Sequence, residues 1–419
     1  MEALVSGGVA DTLISSLDFS HEGVARYILS SRHCLFPAES GNRWDSTSSR
    51  VLRFRIADAS VLETASCRVA FSLVNETQNA TPAAVALTPV APCGSIFRRC
   101  RTFIGGALCE DITDFGRTVV LYDKLKPLAR RENDSIQGFP LNADGTYEAI
   151  PASAAKRCIC ELPVGLLSQH KWLPMAMVPG GGIVVELELD DANSCFTEAA
   201  AKWHLEECNL FCTMHEVDTS MLNSLYDVFR EGTPINIPFD GLSNSKHIVT
   251  SSTFTINISR AFTRLKSVLV TLFKAGNGRK PINSFYHPLL EKGNNGVATV
   301  AADELKYQCQ IASHKYPERS VKGVGEAFMR LRQSNACFYG NDDIGIKADD
   351  FRKESFIATI DFERAGAQAF HTGISTRNGQ MLTLTFEDTD LGANGDFVVV
   401  TLCYDGFVRL SGAGVEILE

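Results

Sequence analysis

The sequence predicts an all-β protein, built as two antiparallel β-sandwiches in tandem with a few short helices. Three observations predict it. Strand-like runs recur along most of the 419 residues. The chain closes on three of them in succession, 356–360, 381–386 and 397–403, separated by the polar turns Arg377-Asn-Gly379 and Leu391-Gly-Ala-Asn-Gly395. The pattern breaks at an amphipathic helix near the middle and then restarts. In the second closing run Leu382, Leu384 and Phe386 fall on one face and Thr383 and Thr385 on the other, the period of two of a half-buried strand. A chain of this length is too long for one sandwich and fits two of about 200 residues each.

Taken in order, residues 1–20 mix small, apolar and polar types and read as an arm. Strands are expected at 50–56, 67–74 and 97–103. A helix from Asp114 to Leu125 follows, stopped by Pro127, which cannot continue it. Strands resume at 157–162, 183–189 and 204–217. Residues 220–231 form the clearest helix, capped by Thr219, with Leu222, Leu225, Tyr226 and Phe229 on one stripe. Gly232 and Pro234 end it. Further strands are expected at 235–239, 247–249, 253–258, 265–273 and 305–311. A second amphipathic helix spans 323–333, with Val324, Phe328 and Leu331 on one side. After the closing trio come 404–410 and 414–418. The organisation is an arm at 1–20, a first sandwich at 21–217, a helical connector at 218–233 and a second sandwich at 234–419. No sequence repeat relates the halves, so this reading rests on strand count and spacing.

Composition narrows the function. Hydrophobic residues make up 45% and the net charge is −9. That balance offers no attraction to nucleic acid or an anionic membrane. No apolar stretch approaches the ~20 residues that span a bilayer, and residues 1–5 lack a signal peptide's basic start. The thirteen cysteines include no CxxC pair, and several lie in strand-like runs (Cys67, Cys158, Cys160, Cys309, Cys403), as buried free thiols of a reducing compartment do. Sequons begin at Asn75, Asn79, Asn133 and Asn257, the last inside a strand. The expectation is a soluble intracellular product.

Four groups of residues invite chemistry, and each has a plainer reading. His204, Cys208, Cys212 and His215 suggest zinc. On a strand, however, steps of four stand ~13 Å apart, too far for one ion. Cys208, Leu210, Cys212 and Met214 are instead expected to face inward. Glu186 and Glu188 resemble a glycosidase carboxylate pair, ~6.6 Å apart at the backbone. Their alternation with Val185, Leu187 and Leu189 is equally that of a solvent-facing strand. Pro179-Gly-Gly-Gly182 precedes no helix, so a turn is expected rather than a phosphate loop. Arg98, Arg99 and Arg101 form the densest basic spot, read as a solvated or interface cluster. No catalytic, cofactor-binding or metal residue is assigned, and no cofactor is expected.

The second half resembles double jelly-roll major capsid proteins of eukaryotic double-stranded DNA viruses, of the polinton-like and adintovirus type. The residues that carry the resemblance run in order. They are 265–273, Pro281-Ile-Asn-Ser-Phe-Tyr-His-Pro288, Tyr307-Gln-Cys-Gln-Ile-Ala-Ser-His-Lys-Tyr-Pro-Glu318 and Gly325-Glu-Ala-Phe-Met-Arg-Leu331. Phe356-Ile-Ala-Thr-Ile-Asp-Phe-Glu363, Gly373-Ile-Ser-Thr-Arg-Asn-Gly379, Tyr404-Asp405 and Gly414-Val-Glu-Ile-Leu418 complete the set. The order holds over roughly 250–419, and the first half fits by strand count and the helix from Asp114. The resemblance implies two jelly rolls per chain and a non-enzymatic structural protein of the virion. It implies a homotrimer with a pseudo-hexagonal outline that tiles an icosahedral shell around DNA, assembled inside the host cell. Implied partners are further copies of the chain and penton and minor capsid proteins, with no specific nucleic-acid binding. Long loops at 75–92, 131–153 and 276–302 would interlock or form towers. The alternatives are a carbohydrate-binding sandwich serving attachment, or a glycosidase using Glu186 and Glu188.

Overall fold

The computed structural model describes residues 5–6, 9–10, 28–39, 41–76, 86–142, 145–169, 171–198, 201–291, 305–339, 343–362, 373–377, 381–412 and 414–419. Seventeen of its longer strands set the architecture. The first eight are β1 (Ile28–Pro37), β2 (Val51–Ile56), β3 (Val61–Asn75), β4 (Phe97–Ile104), β5 (Ala107–Ile112), β6 (Ala155–Glu161), β7 (Ile183–Leu189) and β8 (Trp203–Val217). After helix α3 (Thr219–Arg230) come β9 (Ile235–Ile248), β10 (Phe254–Ile258), β11 (Leu265–Phe273), β12 (Lys306–Ile311) and β13 (His314–Lys322). The last are β14 (Ala358–Asp361), β15 (Leu382–Glu387), β16 (Phe397–Ser411) and β17 (Gly414–Leu418).

The two sets of strands repeat one topology that the sequence hides. In the first, β1, β8, β3 and β6 are neighbours in one sheet and β2, β7, β4 and β5 in the other. In the second, the sheets are β9-β16-β11-β14, with β17 added beside β16, and β10-β15-β12-β13. Counting eight strands in chain order, both sets read first-eighth-third-sixth and second-seventh-fourth-fifth. Every pairing is antiparallel. This is the jelly roll, two Greek keys closed face to face, and the chain carries it twice.

Alternation places the core. Ile183, Val185, Leu187 and Leu189 are buried along β7 while the residues between them are half-exposed. The closing run behaves likewise, with Leu382, Leu384 and Phe386 buried. Most buried apolar residues of both jelly rolls form one continuous cluster, and Phe273, Phe397 and Val399 form a small second one.

Helices α1 (Phe115–Leu125) and α4 (Gly323–Tyr339) occupy the same place in each roll, between the fifth and sixth strands. Val324 and Leu331 of α4 are buried and Phe328 packs on the core, as expected.

Several expectations are corrected. Pro127 ends α1 but also opens a second helix, α2 (Leu128–Ser135), because proline's fixed φ suits a helix start. Asp218, not Thr219, caps α3, its carboxylate accepting from Ser220 N at 2.8 Å. Residues 235–239 and 247–248 belong to one strand, β9, held along its whole length by β16, and Val249 lies just past its end. Strands β1, β5 and β13 were not expected, since their apolar residues do not alternate cleanly. The described part of the expected 276–302 loop, 276–291, carries no helix or strand, as expected, but packs inward. Ile282, Phe285, Tyr286 and Leu289 are buried, and residues 292–302 lie outside the described ones. The 131–153 loop is pinned to the 75–92 loop, by Leu87 and Ile150 exchanging backbone bonds at 2.8 and 2.9 Å. Of the arm, only 5–6 and 9–10 are described, as a short ladder.

Candidate functional site

The described side chains place the notable polar chemistry at the seam between the two rolls. Helix α1 is the wedge, with Phe115, Gly116, Arg117, Thr118, Val119, Val120 and Leu121 all buried. A β-carbon on Gly116 would stand 2.3 Å from Ser95 O, so only glycine lets α1 approach the preceding turn. Arg117 Nε donates to Thr271 Oγ1 at 2.9 Å and Nη2 to Leu272 O at 3.0 Å, while Nη1 donates to Pro281 O. Its guanidinium lies 4.6 Å from the centre of the Phe285 ring. Burial pulls its pKa down to about 9. Lys124 Nζ donates to Ser355 Oγ at 2.8 Å, and burial lowers its ammonium to about 8.

Glu110 of β5 is the acidic counterpart. It is buried and accepts backbone N–H bonds from Gly165 (3.1 Å), Leu166 (2.9 Å) and Leu242 (3.3 Å), the first two in its own roll and the third in the other. Burial pushes its carboxyl up to about 7, against the pull of those three donors. Asn244 bridges as well, donating to Thr118 Oγ1 at 2.7 Å and accepting from Thr401 Oγ1 at 2.9 Å. The two rolls are thus locked by desolvated, directional bonds as well as by apolar packing.

Among the described residues, strand β1 and helix α3 each leave a surface uncovered. Strand β1 pairs with β8 along one edge, and among the described residues no strand pairs with its other edge. It exposes Leu29 and Leu35, at 63% and 51%. Open strand edges are the ordinary template for pairing with another chain. Helix α3 has no fully buried residue. Its stripe of Leu222, Leu225, Tyr226 and Phe229 is only half-buried.

The groups singled out in the sequence fall as follows. Cys208, Leu210, Cys212 and Met214 all face inward and are buried. His204 Nε2 is 2.7 Å from Glu206 Oε1, with Glu76 at the other ring nitrogen. His215 Nδ1 is 2.8 Å from Ser31 Oγ, and its ring stacks on Trp172 at 4.0 Å. Among the described residues no group of three or more His, Cys, Asp or Glu is arranged to hold a metal ion. Glu186 lies 3.0 Å from Arg101 and 3.8 Å from Arg53. Arg99 makes a bidentate pair with Asp111 at 2.7 and 2.6 Å. Arg99 and Arg101 therefore spend their charge on their own sheet. Residues 180–182 form the expected turn, with φ of +69°, +98° and +84°. A cavity of about 570 Å³ opens beside α1, lined among others by Cys93, Cys160, Tyr147, Phe239 and Lys266. The seam residues Arg117 and Glu110 carry no motif. Only their place in apolar surroundings marks them, and that needs the fold.

No family model and no curated protein matches the sequence. Solved structures do match. The chain is similar to PBCV-1 VP54, whose crystal structure was fitted into a cryo-EM reconstruction of the virophage Sputnik, with a TM-score of 0.65 and 11% identity over 96% of this chain and 100% of that one. It is similar to the PBCV-1 virus capsid in a quasi-atomic model, at 0.64 and 12% over 96% and 100%. It also matches the Faustovirus major capsid protein, at 0.60 and 8% over 96% and 93%. At such identities the likeness is one of fold, and it runs through both jelly rolls.

Proposed function

We propose that this chain is a viral major capsid protein. In this reading it self-associates into homotrimers with a pseudo-hexagonal outline, which tile an icosahedral shell around a double-stranded DNA genome. The observation that carries the reading is the end-to-end match. The same tandem of two jelly rolls, over 96% of this chain, recurs in proteins described as virus capsid and major capsid protein. The physical argument agrees. Three chains of two similar rolls present six similar domains around a three-fold axis, and a closed oligomer covers each protomer's adhesive surface with copies of itself. The open edge of β1 and the half-covered stripe of α3 are surfaces of the kind such contacts use.

On this reading residues 21–217 and 234–419 are the two domains, 218–233 connects them, and 1–20 is an arm. The role is structural and not enzymatic. Penton and minor capsid proteins are further partners, and the chain's place is the virion. The lectin and glycosidase readings gain no support, since Glu186 is taken up by Arg101 and Arg53. Negative-stain electron microscopy of the purified chain is the test. Three-fold particles with a near-hexagonal outline are expected. A monomer that stays single at high concentration, and that binds glycans on an array, would favour the lectin instead.

A further inference from the structure

Three thiols meet at the wall of the cavity beside α1, and no part of the seam uses them. Cys93 opens the short 3-10 helix Cys93–Ile96, which leads into β4. Cys158 and Cys160 sit two apart on β6, share its inward face and are buried. The Cys158 and Cys160 thiols are the groups that act most strongly on the Cys93 sulfur. That sulfur also lies 3.8 Å from the carbonyl oxygen of Ile159 between them. The backbones run correspondingly close, since a β-carbon built on Gly94 would stand 3.7 Å from Cys160 Cβ. The segment that carries Cys93 is thus packed directly on β6. Gly138 makes the room, because a β-carbon there would sit 2.4 Å from Cys93 Sγ.

Two further facts give the cluster chemistry. Cys93 and Cys160 both line the cavity, which is open to solvent, so a small solute reaches sulfurs that are otherwise enclosed. Donation from the Cys158 and Cys160 thiols, helped by the Gly94 N–H, holds the Cys93 thiol well below its usual range. The thiolate is the reactive form. Cys158 and Cys160 do not join each other, because the parallel β-carbons of strand positions i and i+2 stand ~6.6 Å apart, beyond the ~3.5–4.5 Å a disulfide needs. Any disulfide in the cluster therefore includes Cys93.

We propose that Cys93 is the common member of a reversible disulfide, closed with Cys158 or Cys160 when a small hydroperoxide enters the cavity. The Cys93 thiolate attacks one peroxide oxygen. An S–O bond forms, the O–O bond breaks, and the departing hydroxide takes a proton to become water. The neighbouring β6 sulfur then attacks Cys93 sulfur. The S–S bond forms, the S–O bond breaks, and the hydroxyl leaves with the thiol's proton as a second water. Two thiols are oxidised and one hydroperoxide reduced. The bond fastens β6, in the sheet of β1, β8 and β3, to the segment entering β4 in the facing sheet. A closed, stiffer protomer outside a reducing compartment is the consequence. The proposal rests on three sulfurs and a cavity, and it stands whether or not the chain builds a shell.

The experiment uses the full chain, purified with reductant, desalted and titrated with hydrogen peroxide. Remaining thiols are alkylated and the digest is mapped by mass spectrometry, while the melting temperature is followed with and without dithiothreitol. The expected result is a peptide holding Cys93 linked to one holding Cys158 and Cys160. The melting temperature should rise by roughly 5 °C and fall back on reduction. Cys93→Ser should lose both signals, and Cys158→Ser with Cys160→Ser together should do the same. Three results would overturn the proposal: no link through Cys93, a link confined to Cys34, Cys67 and Cys212, or Cys93 recovered only as sulfinic acid. The mapping is read on the unmodified sequence, so a variant that fails to fold leaves the test intact.

Discussion

Arg117 Nε donates to Thr271 Oγ1 at 2.9 Å, joining a helix of one jelly roll to a strand of the other. A second cross-link of the same kind lies at the far end of that helix, where Asn335 Nδ2 of α4 donates to Leu125 O at 3.3 Å. The helices that follow the fifth strand of each roll thus meet at the seam. Arg117→Lys keeps the charge but loses the planar fork that serves Thr271, Leu272 and Pro281 together. Buried acceptors left without donors cost about 1–3 kcal/mol each, so a loss of about 3 kcal/mol is expected in denaturant unfolding. A loss under about 1 kcal/mol would mean that the bonds of Arg117 add little to the seam.

Glu110 gives the fold a pH dependence of unusual sign. Its folded-state pKa is raised from 4.5 to about 7 by burial. The folded protein then holds the proton more tightly than the unfolded chain between those values. The contribution is full below pH 4.5 and is lost as pH rises through about 7. Glu110→Gln removes this titration. The difference in unfolding free energy between the native chain and the variant, followed from pH 4.5 to 7, should therefore shrink as pH rises. A flat difference would mean that the carboxyl is ionised throughout.

How far the sequence carries depends on what sets each element. Strand β7 and the closing run were legible because one side faces the core, so alternation marks them directly. Strand β1 was not, because most of its residues are exposed and its order comes from β8. The shared topology of the halves left no trace in residue identity, since a jelly roll constrains alternation and turn placement rather than particular side chains. Nothing in the sequence marks Glu110 and Arg117, and only tertiary packing buries them. The zinc-like run was legible as core for a simple reason: Cys208 and Cys212 are spaced as inward positions on a strand.

Two helical glycines should respond in opposite directions. A β-carbon on Gly165 would stand 2.1 Å from Asp240 O, a backbone atom with no rotamer to yield. Gly325, on the exposed side of α4, has nothing within 4 Å. Gly165→Ala is expected to destabilise by about 1–3 kcal/mol. Gly325→Ala should stabilise by roughly 0.5–1 kcal/mol through helix propensity. Thermal melts of the two variants side by side decide it, and equal shifts would contradict the close approach of the rolls at Gly165.

His287 supplies an acid limb. It is fully buried, its Nδ1 accepts from Leu289 N at 3.2 Å, and its ring meets Phe356 edge-on at 4.9 Å. Burial lowers its pKa from 6.5 to about 3, with Arg352 adding to the effect. The unfolded chain then binds the extra proton first. Stability from this group is present above pH 6.5 and is lost as pH falls toward 3. His287→Asn keeps an acceptor for Leu289 without titrating there. It should cost stability at neutral pH and show a shallower acid limb than the native chain in denaturation followed against pH.

The carboxylates of β7 offer the sharpest separation of a structural role from a catalytic one. Glu186 faces Arg101 at 3.0 Å and Arg53 at 3.8 Å, on neighbouring strands either side of its own. A glycosidase needs one carboxyl free to deliver a proton and a second placed across a bound sugar. A carboxylate clasped between two guanidiniums is arranged to hold a sheet surface together. Such partly exposed pairs contribute little, so Glu186→Gln should lower stability by no more than about 1 kcal/mol. Neither Glu186→Gln nor Glu188→Gln should alter any glycoside turnover above the buffer rate, because the native chain is expected to have none. A measurable turnover that vanished in both variants while the fold survived would move the chain from the capsid reading to the enzyme.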